Sequence, residues 1–296
     1  MTDPGAARDA EIHEDHSSDV LTAFEGDVPS GTRTPSALVH RIRHVGPAII
    51  AFFVILLLWE AVTRLFDIKS FILPKPTEIL AKFVSDAAVI WAAGLNTLYE
   101  ALGGLIIGTV LGVVVALATV RWVRVREGLM PFAIAANAVP IIALAPIANA
   151  MFGLTSPVSK MAVVAVVVFF PVMINTARGL IEVDVAELEL LRSYAATPRE
   201  VMRRIRIPHA LPYFFSALKV SSALSLIAAI VAEYFGGPQD VLGQYILNRA
   251  FQLLYPQAWA AILVASILGI GFYVSILIVE RLVMPWHIAF RSADDA

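Results

Sequence analysis

Residues able to do chemistry are few in this chain and lie far apart. Glu60 and Arg64 stand four positions apart, the spacing of an ion pair on one helix face. Glu233 comes just before Gly236-Gly237-Pro238 at the end of an apolar run. A carboxylate at that depth either faces protein or a water-filled cavity, or reaches back to the interface. Ser221, Ser222 and Ser225 on the same run offer hydroxyls, either to a solute or back to their own helix. Asn137, Pro140 and Pro146 interrupt another apolar run, and broken helices are tolerated where backbone packs in protein or lines a cavity. Asn137, Pro140, Ser222, Ser225 and Glu233 are therefore the candidates for lining a solute pathway. His13 and His16 read as incidental members of a solvated segment rather than as metal ligands. With no cysteine there is no disulfide, thiolate metal site or cysteine nucleophile. The sequence holds no G-x-x-x-x-G-K-[ST] phosphate loop, no H-E-x-x-H pair and no G-x-S-x-G elbow. The chain is predicted to be no enzyme and to hold no metal or cofactor of its own.

The elements that must position these residues are membrane helices. The chain is 58% hydrophobic and 16% charged, with a mean hydropathy of +0.77; a soluble domain averages roughly 45–50% apolar and 25% charged. A bilayer core needs about 20 apolar residues per helix, and six stretches qualify: 47–66, 94–118, 129–150, 157–180, 213–235 and 257–281. Between the first two, Leu73-Pro74-Lys75-Pro76-Thr77-Glu78 predicts a turn, followed by a short interfacial amphipathic segment up to Trp91. Residues 1–36 carry eight acids against Arg8 and Arg33 and read as a disordered tail, not a signal peptide. The expected division is an acidic cytoplasmic tail over 1–40, a transmembrane domain over 41–290 and a C-terminal tail over 291–296. With the N-terminus in the cytoplasm, 16 of the 22 Lys and Arg residues lie inside and six, including Lys160, outside. Both termini and the loop 182–208 are then cytoplasmic. Gly104, Gly108, Gly112 and Ala116 form one small-residue face, and Ala261, Ala265 and Gly269 another; both predict close helix packing.

The loop 182–208 cannot span, because Arg192, Arg199, Arg203, Arg204 and Arg206 would each cost roughly 2.5–3.5 kcal/mol at mid-membrane. Asp184 with Glu187 predicts a capping box, and Thr197, Pro198 and Glu200 a second one. Pro208 is expected to close the unit, since it cannot donate the bond a continuing helix needs. The result is a charged helix–turn–helix between two apolar runs.

That loop resembles the cytoplasmic signature of binding-protein-dependent ABC importer permeases: E-A-A, three residues, Gly, nine residues, Ile-x-Leu-Pro. The match falls on Glu189, Ala195, Ile205, Ile207 and Pro208 with every spacing kept. Leu190-Leu191 replace the alanines, Ala195 the glycine and Ile207 the leucine. Alanine at 195 is expected to leave the link helical or kinked rather than left-handed. Leu73-Pro74-Lys75-Pro76, Val139 to Pro146, Phe169-Phe170-Pro171 and Ala232 to Gly236 resemble the nitrate/sulfonate/taurine-type group. Arg192 to Ala196 and Ala217 to Val220 are similar to its branches for thiamine precursors or riboflavin.

The resemblance implies an all-α membrane protein with six transmembrane helices, of the type I ABC importer permease kind, with a cytoplasmic coupling helix–turn–helix. It implies a pathway made by two copies, a cytoplasmic ABC ATPase dimer that holds the ATP, an external solute-binding protein and no nucleic-acid partner. Glu189, Ala195, Thr197, Arg199, Glu200, Ile205 and Pro208 would shape the ATPase-coupling unit. The implied cargo is a small organic solute, either a vitamin precursor or a sulfonate- or nitrate-like anion. A stand-alone ion-coupled carrier is the alternative reading; such carriers place paired carboxylates or His near the bilayer midplane.

Overall fold

The computed structural model describes residues 37–136 and 140–285; Asn137, residues 1–36 of the expected first tail and the expected C-terminal tail lie outside them, while residues 37–40, expected in the first tail, begin a helix. The chain divides into two compact units, Met1–Phe53 and Val54–Ala296. Eleven α-helices follow in order among the described residues: α1 Ala37–Leu65, α2 Pro76–Ser85, α3 Ala87–Arg121, α4 Val123–Ala136, α5 Ile141–Phe152, α6 Pro157–Ile181, α7 Val185–Ser193, α8 Pro198–Val201, α9 Ile207–Tyr234, α10 Leu242–Phe251 and α11 Tyr255–Val283. A π-helical turn, Met202–Arg206, joins α8 to α9.

Five helical stretches among the described residues are long and apolar enough to cross a membrane, not six. They correspond to α1, α3, α6, the continuous run α8–α9, and α11. The expected third span is instead two short helices, α4 and α5, with Pro140 as the N-cap of α5. Pro140 fixes φ and donates no bond, so the helix must end or restart there. α3 begins at Ala87 and absorbs Trp91, leaving only Pro76–Ser85 as the preceding short helix. At 35 residues it is roughly 50 Å long and overshoots a hydrocarbon core of about 30 Å.

α3 packs along α6 through its small-residue face. A Cβ added at Gly108 would lie 2.5 Å from the Ala165 carbonyl oxygen, and one at Gly112 would lie 3.0 Å from that of Phe169. Ala101, Leu105, Val164, Val168 and Val172 then join Ala217, Leu226, Ala228 and Ala229 of α9 and Phe272 of α11 in the central core. A second core at one end unites α2, α3, α10 and α11 around Ile90, Leu242, Tyr245 and Val264. A third at the other end unites Ala116, Ala133, Met173, Ala177, Leu180 and Ala210. The second small-residue face behaves differently. Ala261 is packed in core, but Ala265 and Gly269 border an apolar cavity of about 680 Å³ between α9 and α11, with Leu226, Ile230, Tyr234 and Tyr273.

Two ion pairs tie elements together. Glu60 accepts from Arg64 Nε at 2.6 Å, as its spacing predicts, and also from Thr77 N and Oγ1 at 3.1 and 2.9 Å, which fastens the start of α2 to α1. Lys219 of α9 donates to both carboxylate oxygens of Glu280 on α11, at 3.0 and 2.8 Å, and Glu280 is 5% exposed. Removing one partner of such a pair leaves the other buried and uncompensated, which costs about 3–5 kcal/mol. Lys219→Met should therefore lower the thermal unfolding midpoint sharply in detergent, and adding Glu280→Leu should recover most of the loss.

Candidate coupling unit and buried polar cluster

The two short helices of the loop form as the capping residues dictate. Asp184 caps α7 by accepting from Ala186 N at 2.9 Å. The expected reciprocal box with Glu187 does not form; the cap is made to the second helical residue by Asp184 alone. At Thr197 the box is complete. Thr197 Oγ1 accepts from Glu200 N at 3.3 Å, and Glu200 Oε2 accepts from Thr197 N at 2.8 Å. The Thr197 backbone N–H, and then its hydroxyl, hold the Glu200 carboxyl below the usual glutamate range.

Two expectations for this loop are overturned. Ala195 adopts the left-handed conformation, φ +54°, that a glycine would take. The turn is overdetermined: Ala195 N bonds Arg192 O, Ala196 N bonds Leu191 O at 3.0 Å, and the Thr197 cap follows at once. Pro208 does not end the unit. α8 runs through the π turn into α9, and Ile207 N bonds Met202 O. The wider π turn precedes a proline in the opening turn of α9, where a missing N–H is tolerated.

The unit is fastened to the membrane helices from which it projects. Arg206 Nη1 donates to Leu180 O at 2.6 Å, and His209 Nδ1 meets Gly179 O at 2.7 Å, linking the end of α6 to the start of α9. Ile205 and Pro208 are half-buried, whereas Glu189, Thr197 and Arg199 are exposed. Beside Glu189, Val185, Leu190 and Tyr194 are 66%, 58% and 75% exposed. Exposed large apolar groups among charges mark interaction surfaces. These three escaped the sequence reading; the replacement of the signature alanines by Leu190-Leu191 was the available signal. Behind the unit lies a cavity of about 640 Å³ lined by Arg121, Arg192, Pro198, Arg199, Met202 and Arg206.

The pathway candidates do not converge on one cavity. Pro140 is exposed. Ser222 and Ser225 are fully buried and donate to Lys219 O and Ser222 O at 2.7 and 2.8 Å, bonding back to their own helix. Glu233 is fully buried at the end of the bundle away from the coupling unit. Lys160, counted above among the basic residues outside the membrane, is also fully buried, and Glu100 of α3 is 3% exposed. Glu233 Oε2 accepts from Gly243 N at 2.6 Å, Gln244 Nε2 donates to Glu233 O at 2.5 Å, and Leu242 N donates to Thr97 Oγ1 at 2.9 Å. A Cβ at residue 243 would lie 2.7 Å from that carboxylate oxygen, so the approach requires glycine. These bonds seat α10, a helix absent from the sequence reading, on α3 and α9. Burial raises the Tyr245 hydroxyl pKa on the same helix.

The profile of a family described as "Binding-protein-dependent transport system inner membrane component" matches residues 108–286, most of the bundle and the whole coupling unit. The chain belongs to this family. The permease is 30% identical over 237 residues to the formylaminopyrimidine transport permease protein ThiX of Halalkalibacterium halodurans, covering 80% of this chain and 94% of the relative. It is 28% identical to the riboflavin transport system permease protein RibX of Chloroflexus aurantiacus, covering 80% and 89%. It is 24% identical to the taurine transport system permease protein TauC of Escherichia coli, covering 79% and 87%. The fold matches a structure described as "Crystal structure of an amino acid ABC transporter with histidines", with a TM-score of 0.54 at 17% identity over 67% of this chain and 95% of that one. The permease is thus a multi-pass inner-membrane transport protein whose relatives are those of the nitrate/sulfonate/taurine-type group.

Two outcomes follow for the coupling unit. Ala195→Gly relieves a left-handed alanine, a conformation costing roughly 1–2 kcal/mol, partly offset by the greater freedom of glycine when unfolded. It should raise stability by up to about 1 kcal/mol, read from the denaturant midpoint. Because the folded-state pKa of Glu200 is lowered, its stabilising effect is present above the ordinary glutamate range and lost as pH falls through the folded value. Amide exchange at Val201 should stay slow, relative to its intrinsic rate, through neutral and mildly acidic pH and lose that protection only below the usual glutamate range; protection lost at near-neutral pH would contradict this.

Proposed function

We propose that the chain is the permease half of an ATP-driven importer, that two copies enclose one solute pathway, and that α7 and α8 dock on a cytoplasmic ATPase subunit. One observation carries this reading. The loop that matches the family signature carries three exposed apolar side chains, Val185, Leu190 and Tyr194, along α7 with Glu189, and is bonded at its base to both α6 and α9. A surface so placed passes motion of a bound partner into two membrane helices as a rigid-body shift. Arg192 and Arg199 at the neighbouring cavity favour an acidic partner surface. In this reading the N-terminus is cytoplasmic, and an external binding protein delivers solute to the end that bears α10.

The solute pathway follows α9 and the α4–α5 break, with Asn137, Pro140, Ser222, Ser225 and Glu233 as its candidate lining. The buried serines and Glu233 meet solute only when the helices part. The ThiX and RibX relatives, named for transport of a formylaminopyrimidine and of riboflavin, favour a small heterocyclic vitamin or vitamin precursor as the solute.

Glu189→Lys reverses an exposed acid on α7, at the position that matches the family signature. In proteoliposomes holding permease, ATPase and binding protein, it should abolish ATP-driven uptake while membrane insertion and thermal stability stay at wild-type levels. Wild-type uptake by this variant, or ion-gradient uptake by the permease alone, would contradict the proposal.

A further inference from the structure

Two carboxyl groups and one ammonium group meet at the end of the bundle away from the coupling unit. Glu100 comes from α3, Lys160 from α6 and Glu233 from α9, and they are 3%, 0% and 0% exposed. The two carboxyls bear on each other, and the Thr97 hydroxyl of α3 bears on Glu233, yet Glu100 Oε2 and Glu233 Oε1 are buried without a hydrogen-bond partner. The Lys160 ammonium donates to Asn149 Oδ1 at 3.2 Å and to the Leu154 carbonyl, not to either carboxylate. The other titratable groups near the cluster are Asp240, which takes the amide of Asn96 at 3.1 Å, and Tyr234 beside Glu233 on α9. α5 contributes Asn149, and α10 contributes the Gly243 N–H and the Gln244 amide; its Arg249 lies 4.9 Å over the Tyr245 ring.

With both carboxyls ionised, this site holds a net negative charge out of reach of water, and two groups that can only accept hydrogen bonds face each other. Uncompensated buried charge and unmet acceptors are each costly. One added proton removes both problems. It turns one carboxyl oxygen into a donor toward the other group and leaves one carboxylate to balance Lys160.

We propose that Glu100 and Glu233 form a proton-binding site, sharing one proton against Lys160, and that this proton locks α10 onto the membrane bundle. Glu233 is the residue through which the lock acts, since its side chain holds the Gly243 N–H and its carbonyl the Gln244 amide. Departure of the proton sets two like charges against each other beneath the first turn of α10. The inference concerns this cluster alone and stands whether or not the proposed coupling to an ATPase does.

The test is infrared spectroscopy and thermal unfolding of the full chain in lipid nanodiscs as pH is raised. The wild type should show the carbonyl stretch of a protonated carboxylic acid. That band should vanish at alkaline pH together with a fall in Tm, because stability that depends on a bound proton is lost as the proton leaves. Glu100→Gln supplies a neutral donor, so it should lack the band and hold a pH-independent Tm near the wild-type value. Glu100→Gln with Glu233→Gln leaves Lys160 uncompensated and should lower Tm. If Glu100→Gln does not fold, Glu100→Asp or Glu233→Asp should still shift the band frequency. A spectrum in which no substitution at 100 or 233 changes a carboxylic-acid band overturns the proposal, as does a wild-type Tm that does not fall with rising pH.

Discussion

The backbone of α3 lies against the backbone of α6 because Gly104, Gly108 and Gly112 put no side chain between them. In a bilayer the lipid tails are as apolar as leucine, so helices associate through close packing and hydrogen bonds rather than by escape from water. This contact brings α6 to the centre of the bundle. Its middle packs with α9 through Val164, Val168 and Val172, and each of its two ends meets a polar assembly. At one end Gly179 and Leu180 take hydrogen bonds from the coupling unit; at the other, Lys160 enters the carboxyl cluster.

α6 and α9 therefore act as one paired strut. Interiors this dense do not bend continuously but move as bodies between discrete arrangements. In the proposed reading, a displacement of the coupling unit would reach Glu233 along the continuous helical run of α8, the π turn and α9. The Lys219–Glu280 pair extends the strut to α11. The short helices on either side of Pro140 pack on this strut as well, α4 through Ala133 and α5 through Ala145 and Ala148.

Much of the architecture was legible because it rests on local pattern. Apolar length alone located α1, α3, α6, α9 and α11, and a four-residue signal located the Thr197 box. Gly108 and Gly112 announced a packing face, though not its partner. What escaped depends on residues distant in sequence. Lys160 sits near a span end, where charge counting assigns it to water; only the fold shows Glu100 and Glu233 beside it. The helix α10 is short and amphipathic, and its burial against Ile90 and Val264 is tertiary. Ala195 took a turn its side chain disfavours because the bonds on both sides leave no other path. Pro208 failed to stop the helix because a π turn precedes it.

In the proposed mechanism a cytoplasmic ATPase grips the loop 182–208. The chain has no cysteine, so Tyr194→Cys introduces a single addressable thiol at an exposed point of that loop. In membranes holding the assembled transporter, a thiol-to-amine cross-linker at this position should join the permease to the ATPase, with a yield that changes when ATP binds. Labelling of the same thiol in intact cells by a membrane-impermeant reagent, with no cross-link to the ATPase, would place the loop on the wrong side of the membrane and contradict the account.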